Sequence, residues 1–244
     1  MDKLRQCLIA LLLIAGLSPL DSVAGMLQVS PVMVEIQAGE NASGLTLRNP
    51  DDQPLYGQVR LFRWDQADGN DTLTPTQDIV ASPPIVEIAP RTSQLVRLVR
   101  ITTAPPTTEQ SYRMVVDELP RPNLTPTTGI TIRLRYSLPV FIEPAGAMGQ
   151  PSLSWHLIHT DQGWIMRVDN TGTRRAQIAA IELVNQNAKV YEINKGLLGY
   201  ALAGRGRQWQ ISLPPQADLS GVVKVRAAIN SLHTEAVVTV EQTK

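Results

Sequence analysis

The stretch that decides the fold runs from Gly129 to Pro144 and reads Gly-Ile-Thr-Ile-Arg-Leu-Arg-Tyr-Ser-Leu-Pro-Val-Phe-Ile-Glu-Pro. Apolar and polar residues alternate along it, which is the period of a β-strand with one apolar face. Pro139 cannot donate a hydrogen bond to a neighbouring strand, so we predict that this part of the strand lies at an edge or a bulge of a sheet. The alternating apolar positions are Ile130, Ile132, Leu134 and Tyr136.

A long edge strand with an apolar face promotes aggregation, because its backbone groups are free to pair with any other strand. Proteins that keep such a strand usually use it to pair with a partner chain. We therefore interpret this stretch as the functional part of the molecule.

The rest of the chain is typical of an all-β protein. Helical periodicity is scarce after residue 20, and short strand-like runs alternate with Pro, Gly, Asn and Asp. Residues 25–144 contain seven to eight such runs in about 120 residues, the number found in an immunoglobulin-like sandwich. The small residues of Glu143–Ala147 indicate a domain boundary, so we expect residues 145–244 to form a second, smaller β-sandwich. Pro31 within the first run, Met26–Gln37, predicts an edge strand or one that switches sheets.

The first residues have the features of a signal peptide. Lys3 and Arg5 precede an apolar run, and Ser22-Val23-Ala24 supplies small residues for cleavage. The apolar run is shorter than the roughly 20 residues of a membrane span, so we expect cleavage after Ala24. Residues 1–24 would then leave together with Cys7, the only cysteine. The mature protein is expected to be exported, without disulfides and without insertion in a membrane.

Catalytic and metal-binding patterns are missing from the sequence. Lys plus Arg equals Asp plus Glu at 22 each, which gives no reason to expect nucleic acid or anionic lipid as a partner. His156 and His159 lie three apart on a predicted strand, hence on opposite faces, and so do the neighbours Asp117 and Glu118. No Gly-x-Ser-x-Gly motif or phosphate-binding loop occurs. We therefore expect no catalytic site, metal or cofactor, and not an enzyme.

Arginines near the strands of the first half are the remaining signal. An arginine on a sheet can hold a carboxylate with two hydrogen bonds. The alternative is that these side chains are solvated and form only weak ion pairs. They are Arg97, Arg100, Arg113, Arg133 and Arg135.

Several short motifs of the first half form a recognisable set. In chain order they are Gln58–Trp64, Asp68-Gly69, Leu73–Thr76, Ala81–Pro84, Gln94–Arg97, Tyr112-Arg113, Asp117–Pro120 and Val140–Pro144. Together these motifs resemble the first domain of the periplasmic pilus chaperones. The resemblance covers Met26 to Pro144, whereas the second half is similar only in its size and strand content.

The resemblance implies two immunoglobulin-like domains set at an angle, like a boomerang, in a protein of the periplasm that needs no cofactor. Members of the family capture pilus subunits whose own sandwich lacks its last strand. They lend their long edge strand to the subunit, which is donor-strand complementation, and they pass the subunit to an outer-membrane usher. On this sequence the residues that would fill the subunit's groove are Ile130, Ile132 and Leu134, followed by Tyr136.

This sequence departs from the better-studied branch of the family, in which an arginine and a lysine clamp the terminal carboxylate of the subunit. Met33 and Pro139 occupy those two places, and Glu143 replaces a further arginine, so the sequence is more similar to the archaic branch. A buried carboxylate without a cation is costly. Our hypothesis is that other arginines have taken over the anchor, with Arg113 and Arg100 as first choices and Arg97 as the third.

The main alternative function is that of a secreted adhesin or carbohydrate-binding module built on two β-sandwiches. Such modules usually expose aromatic side chains on which sugars stack. Trp155, Trp164 and Trp209 lie in the second half, and their spacing along strands predicts core positions.

Overall fold

The computed structural model describes residues 27–102, 104–122, 132–147 and 149–242. These residues form seventeen β-strands and contain no helix, which confirms the all-β fold. In chain order the strands are β1 (Gln28–Ser30), β2 (Val34–Ile36), β3 (Ala42–Arg48), β4 (Leu55–Ala67), β5 (Asn70–Pro75), β6 (Ile79–Ser82), β7 (Ile85–Ile88), β8 (Ser93–Arg100), β9 (Gln110–Leu119), β10 (Arg135–Ile142), β11 (Leu153–Thr160), β12 (Gly163–Asn170), β13 (Ala176–Val184), β14 (Val190–Ala201), β15 (Arg205–Ile211), β16 (Val223–Ile229) and β17 (Leu232–Gln242).

The first ten strands form two sheets that face each other. One sheet has the order β1-β3-β8-β6, and the other has the order β2-β10-β9-β4-β5 with β7 also paired to β4. Alternate side chains of both sheets enter a common core, because successive residues of a strand point to opposite faces. Fully buried members of this core include Leu45, Leu47 and Leu98 of the first sheet and Met114 and Val116 of the second.

The run that contains Pro31 changes sheets, as predicted. Val29 pairs with Leu47 in an antiparallel ladder of the first sheet. Five residues farther on, Val34 pairs with Val140 in a parallel ladder of the second sheet. Pro31 lies between the two short strands, in the segment that crosses from one sheet to the other.

The second half forms a single seven-stranded sheet with the order β14-β13-β16-β17-β11-β12-β15. Tyr191 in β14 and Ile211 in β15 belong to the same buried cluster although they come from opposite ends of the sheet. The sheet therefore closes around its own core and makes the second, smaller sandwich. Trp155 is buried in this core, and Trp164 and Trp209 pack against it, which confirms their predicted positions.

The two halves meet at residues 143–152, which connect β10 to β11. The predicted boundary after Pro144 falls in this connection, and its position stays a prediction. A separate buried cluster joins the halves and contains Trp64, Phe141, Tyr200 and Leu202. Two of these side chains come from each half.

The ladder of β10 starts later than the alternation suggests. Its first paired residue is Arg135, opposite Asp117, and one further hydrogen bond joins the Glu118 N–H to the Leu134 carbonyl at 3.1 Å. The neighbouring strand β9 ends at Leu119 because Pro120 follows, and proline cannot extend a ladder as a donor. Ile132 therefore precedes the strand, and Ile130 lies outside the described residues.

Candidate functional site

Only one of the two sides of strand β10 is paired with a neighbouring strand along its whole length. Its residues Arg135 to Ile142 pair with β9, whereas β2 covers only Val140 to Ile142 on the other side. Among the described residues, no strand pairs with Arg135–Pro139 on that second side. Pro139 lies at the end of this open segment, where the lack of an N–H costs no ladder bond, as the sequence predicted.

The side chains of this strand pass from the core to the solvent toward its start. Leu138 is buried, and Tyr136 is partly buried against the same core. Burial raises the pKa of the Tyr136 hydroxyl. Leu134 is intermediate in exposure, and Ile132 is 77% exposed. The structure thus places three of the four predicted groove-filling residues on one line of alternate positions, with Ile132 free of the protein's own core and Tyr136 engaged in it.

A shallow groove of 320 Å³ runs beside the open edge. Its walls come from β1, from the sheet-crossing segment and from β10, and they are mostly apolar. Val32 in the crossing segment is 73% exposed. The other lining residues are Val29, Tyr136, Ser137 and Leu138.

Arg113 is the predicted arginine that lies between the two halves. Its guanidinium carbon lies 3.7 Å from the ring centre of Trp64 and 5.7 Å from that of Tyr200. Burial lowers the pKa of Arg113, and the charge of Asp71 opposes this shift. Within the described part of the chain, Arg113 has no carboxylate at ion-pair distance. The Arg113 guanidinium therefore contacts aromatic rings through cation–π interactions, and no carboxylate of the described residues neutralises its charge.

The other two predicted arginines lie on β8, in the opposite sheet, so the structure does not bring the three together. Arg100 is 5% exposed, and it donates hydrogen bonds to the carbonyls of Ala38, Glu40 and Ala104 at 3.0–3.2 Å. Its guanidinium thus already ties two loops together. Arg97 is exposed on the outer face of its sheet.

A buried ionic network at the junction escaped the sequence analysis. Arg175 of the second half forms ion pairs with Glu109 and Glu35 of the first half, and its backbone N–H donates to Glu109 at 2.9 Å. The guanidinium lies 3.7 Å from the ring centre of Phe141. Burial raises the pKa of Glu109, although Arg175 opposes this. Met33, at one of the two family anchor positions, packs against the junction cluster beside Arg175.

Further polar contacts join the halves around this network. Gln66 is buried and forms hydrogen bonds to the Tyr200 carbonyl and from the Leu202 N–H at 2.8 and 2.9 Å. The Gln208 N–H donates to the Gly69 carbonyl at 3.0 Å, at the tip of the β4–β5 hairpin. The two halves are therefore fixed to each other at several separate points.

The described residues contain no group of three or more metal-ligating side chains. His156 instead lies 2.7 Å from Glu241, on the surface of the second half. Asp117 and Glu118 point to different partners, since Asp117 pairs with Arg60 and Glu118 accepts a hydrogen bond from the Leu134 N–H. The described ranges contain no apolar helix of the length needed to span a membrane.

Comparison with known proteins agrees with this geometry. Residues 26–148 match the family described as pili and flagellar-assembly chaperones, PapD N-terminal domain. No curated protein sequence matches the chain.

Solved structures of the same fold extend over most of the chain. One belongs to the CsuC–CsuE chaperone–tip adhesion subunit pre-assembly complex of the archaic chaperone-usher Csu pili of Acinetobacter baumannii. It has 23% identity and a TM-score of 0.68, and the match covers 90% of this chain and 100% of that one. The E. coli chaperone DraB has 17% identity and a TM-score of 0.61, with 88% and 97% covered. The Salmonella enterica SafA pilin–SafB chaperone complex has 17% identity and a TM-score of 0.61, with 87% and 96% covered.

Proposed function

Since this chain belongs to the family of pili and flagellar-assembly chaperones, we propose that it captures pilus subunits in the periplasm by donor-strand complementation and delivers them to an outer-membrane usher. In this proposal the signal peptide of residues 1–24 is removed on export. The observation that carries the proposal is the open edge of β10, with the exposed Ile132 at its start.

Capture is favoured by the burial of apolar surface and by the pairing of free backbone groups on both partners. A subunit that lacks a strand exposes an apolar groove and unpaired backbone groups, both of which favour aggregation. The open residues of β10 can supply the missing backbone hydrogen bonds, and Ile132 can enter the groove. Complete burial of one such side chain contributes about 1.5–3 kcal/mol. Ile130 and Leu134 are proposed to act in the same way, whereas Tyr136 packs on the chaperone's own core and would mark the end of the inserted row.

We further propose that Arg113 binds the terminal carboxylate of the subunit. Its guanidinium is partly buried, stacked on Trp64 and free of a carboxylate partner in the described residues. Arg100 is less suited because three backbone carbonyls occupy its donors, and Arg97 lies on the other sheet. Arg175 at the same junction is already neutralised by Glu109 and Glu35.

Co-purification tests the strand-donation proposal. The mature protein is produced in a bacterial periplasm together with a pilus subunit encoded beside it, and the soluble complex is isolated through a tag on the subunit. Ile132→Asp places a charge in the apolar groove and should abolish the complex. The chaperone itself should remain soluble and fully folded, because Ile132 is 77% exposed.

The matched control is Leu232→Asp, which changes an equally apolar side chain that is 69% exposed in the second half. This variant should yield as much complex as the original protein. A complex that survives Ile132→Asp would contradict strand donation at this edge. Absence of any complex with all subunits of the same gene cluster would contradict the chaperone function itself.

A further inference from the structure

Two arginines bind a single carboxylate on β9, the strand next to β10. Asp117 on β9 accepts hydrogen bonds from Arg60 on β4, at 2.6 Å, and from Arg135 on β10. The hydrogen bonds lower the pKa of Asp117 in spite of its partial burial, which acts in the opposite direction. Asp117 is 15% exposed, but the two arginine side chains are 42% and 68% exposed. Both guanidinium groups therefore face the solvent while the carboxylate between them is covered.

Arg133 brings a further positive charge to the start of β10. It is exposed and lies two residues before Arg135, on the segment that leads into β10. The adjacent acid, Glu118, points to the opposite side of β9, where it accepts a hydrogen bond from the Leu134 N–H. We call Arg60, Arg133 and Arg135 the cationic patch. Its three positive charges are opposed by one negative charge, that of Asp117.

The cationic patch lies on the face of the sheet that looks toward the second half. Residues at alternate positions of a strand share a face, so Arg60 shares a face with Trp64, and Arg135 shares one with Phe141. Trp64 and Phe141 are both in the cluster that joins the halves. A strand added to the open edge of β10 would therefore present every second side chain on the same face as the patch, next to Arg135, with Arg60 two strands farther into the sheet.

We propose that the cationic patch binds acidic side chains on the subunit strand that pairs with β10. This inference rests on the proposed function and adds a feature of the partner: carboxylates at alternate positions of the pairing strand, on the side that faces the second half. Charge complementarity of this kind acts mainly on the rate of encounter and on the choice of partner. The patch would thus attract the subunit and fix its side-chain register before the apolar residues enter the groove.

The second half supplies a matched control. On β16 and β17, Glu235 is shared by Lys224 and Arg226, each at 2.8 Å, and the three side chains are 38–51% exposed. This group has the same arrangement of two cations around one carboxylate. Its strand β16 lies inside the seven-stranded sheet, between β13 and β17, and not at an open edge.

The experiment measures the rate at which purified chaperone captures a denatured, tagged pilus subunit on dilution. The double variant Arg133→Gln, Arg135→Gln is compared with Lys224→Gln, Arg226→Gln, which loses the same charge elsewhere. At about 0.01 M salt charges act over about 30 Å, and at about 0.15 M over about 8 Å. We expect the patch variant to be about tenfold slower at low salt and to have a weaker salt dependence, since electrostatic steering changes such rates by at least this factor.

The outcomes distinguish failure of the cationic patch from failure of the proposed chaperone function. The control variant should keep the rate and the salt dependence of the original protein. Capture that is lost with Ile132→Asp but unchanged in the patch variant would overturn the cationic patch alone. An equal loss in both charge variants would also overturn it, because net charge and not the patch would then be responsible. Failure of the original protein to capture any subunit would overturn both the patch and the proposed function.

Discussion

At the scale of single residues, Arg113 differs from Arg63 and Arg175, which also lie over aromatic rings, because it has no carboxylate at ion-pair distance among the described residues. Arg113→Met keeps an unbranched side chain against Trp64 but removes the charge. We expect subunit binding to weaken by about 1.5–3 kcal/mol, the contribution of a hydrogen bond to a charged group. This corresponds to roughly 10- to 100-fold in the dissociation constant. The unfolding free energy of the free protein should change by less than about 1 kcal/mol, because the lost cation–π contact with Trp64 is offset by the removal of a partly buried charge that has no carboxylate partner in the described residues.

Arg63→Met is the control for this change. Arg63 also lies over an aromatic ring, that of Tyr112 at 5.2 Å, but it is paired with Asp78. Competition between chaperone variants for one subunit measures the binding, and urea titration measures the stability. Equal binding by the Arg113 variant and the original protein would exclude Arg113 as the anchor. The sequence alone could not separate Arg113 from Arg100, because the three carbonyls that hold Arg100 come from two loops whose approach depends on the fold.

At the scale of elements, β10 and the segment that leads into it combine two roles in one run of alternating residues. Leu138 is 6% exposed and belongs to the protein's own core, whereas Ile132 is 77% exposed. Leu138→Ala should therefore lower the unfolding free energy by about 2–5 kcal/mol. Ile132→Ala should change it by less than about 0.5 kcal/mol. Urea unfolding of the two variants measures both effects, and a large loss of stability in the Ile132 variant would place that side chain in the core.

The alternation predicted a strand with an apolar face in this stretch, although the strand begins only at Arg135, and the change of sheets is one of the two possibilities that Pro31 predicted. The pattern could not predict the residue at which the alternating apolar side chains change from buried to exposed. That point depends on where β9 ends, at Leu119, and on how far β2 accompanies β10. Both are properties of neighbouring strands that come from distant parts of the chain, so the run of 129–144 contains no sign of them.

At the scale of the whole molecule, the relation between the two halves depends on Arg175. Arg175→Met would leave Glu109 buried without its cation, and a broken buried pair costs about 3–5 kcal/mol. Arg205→Met removes another ion pair between the halves, that with Asp65, whose side chains are 46% and 50% exposed. That change should cost less than about 1 kcal/mol, as for other exposed pairs. Urea unfolding of both variants tests this difference, and equal losses would contradict a dominant role for the buried network.

The fold class of the protein and its two sandwiches could be predicted from the sequence, but this junction could not. Arg175 is 66 residues from Glu109 and 140 from Glu35 in the chain. Arg174-Arg175 is an ordinary basic pair before a strand, and no local pattern distinguishes the residue that becomes buried. The junction forms only when two complete sandwiches meet.

The short parallel pairing of β2 with β10 has a consequence for any strand that joins the open edge. Because β2 occupies the edge from Val140 onward, it acts as a physical stop. The open residues Arg135–Pro139 span about 16 Å at roughly 3.3 Å per residue. A guest strand that slides one pair of residues too far would collide with Val34. The beginning of the chain therefore limits the length of the guest and its alignment, although it lies about a hundred residues before β10 in the sequence.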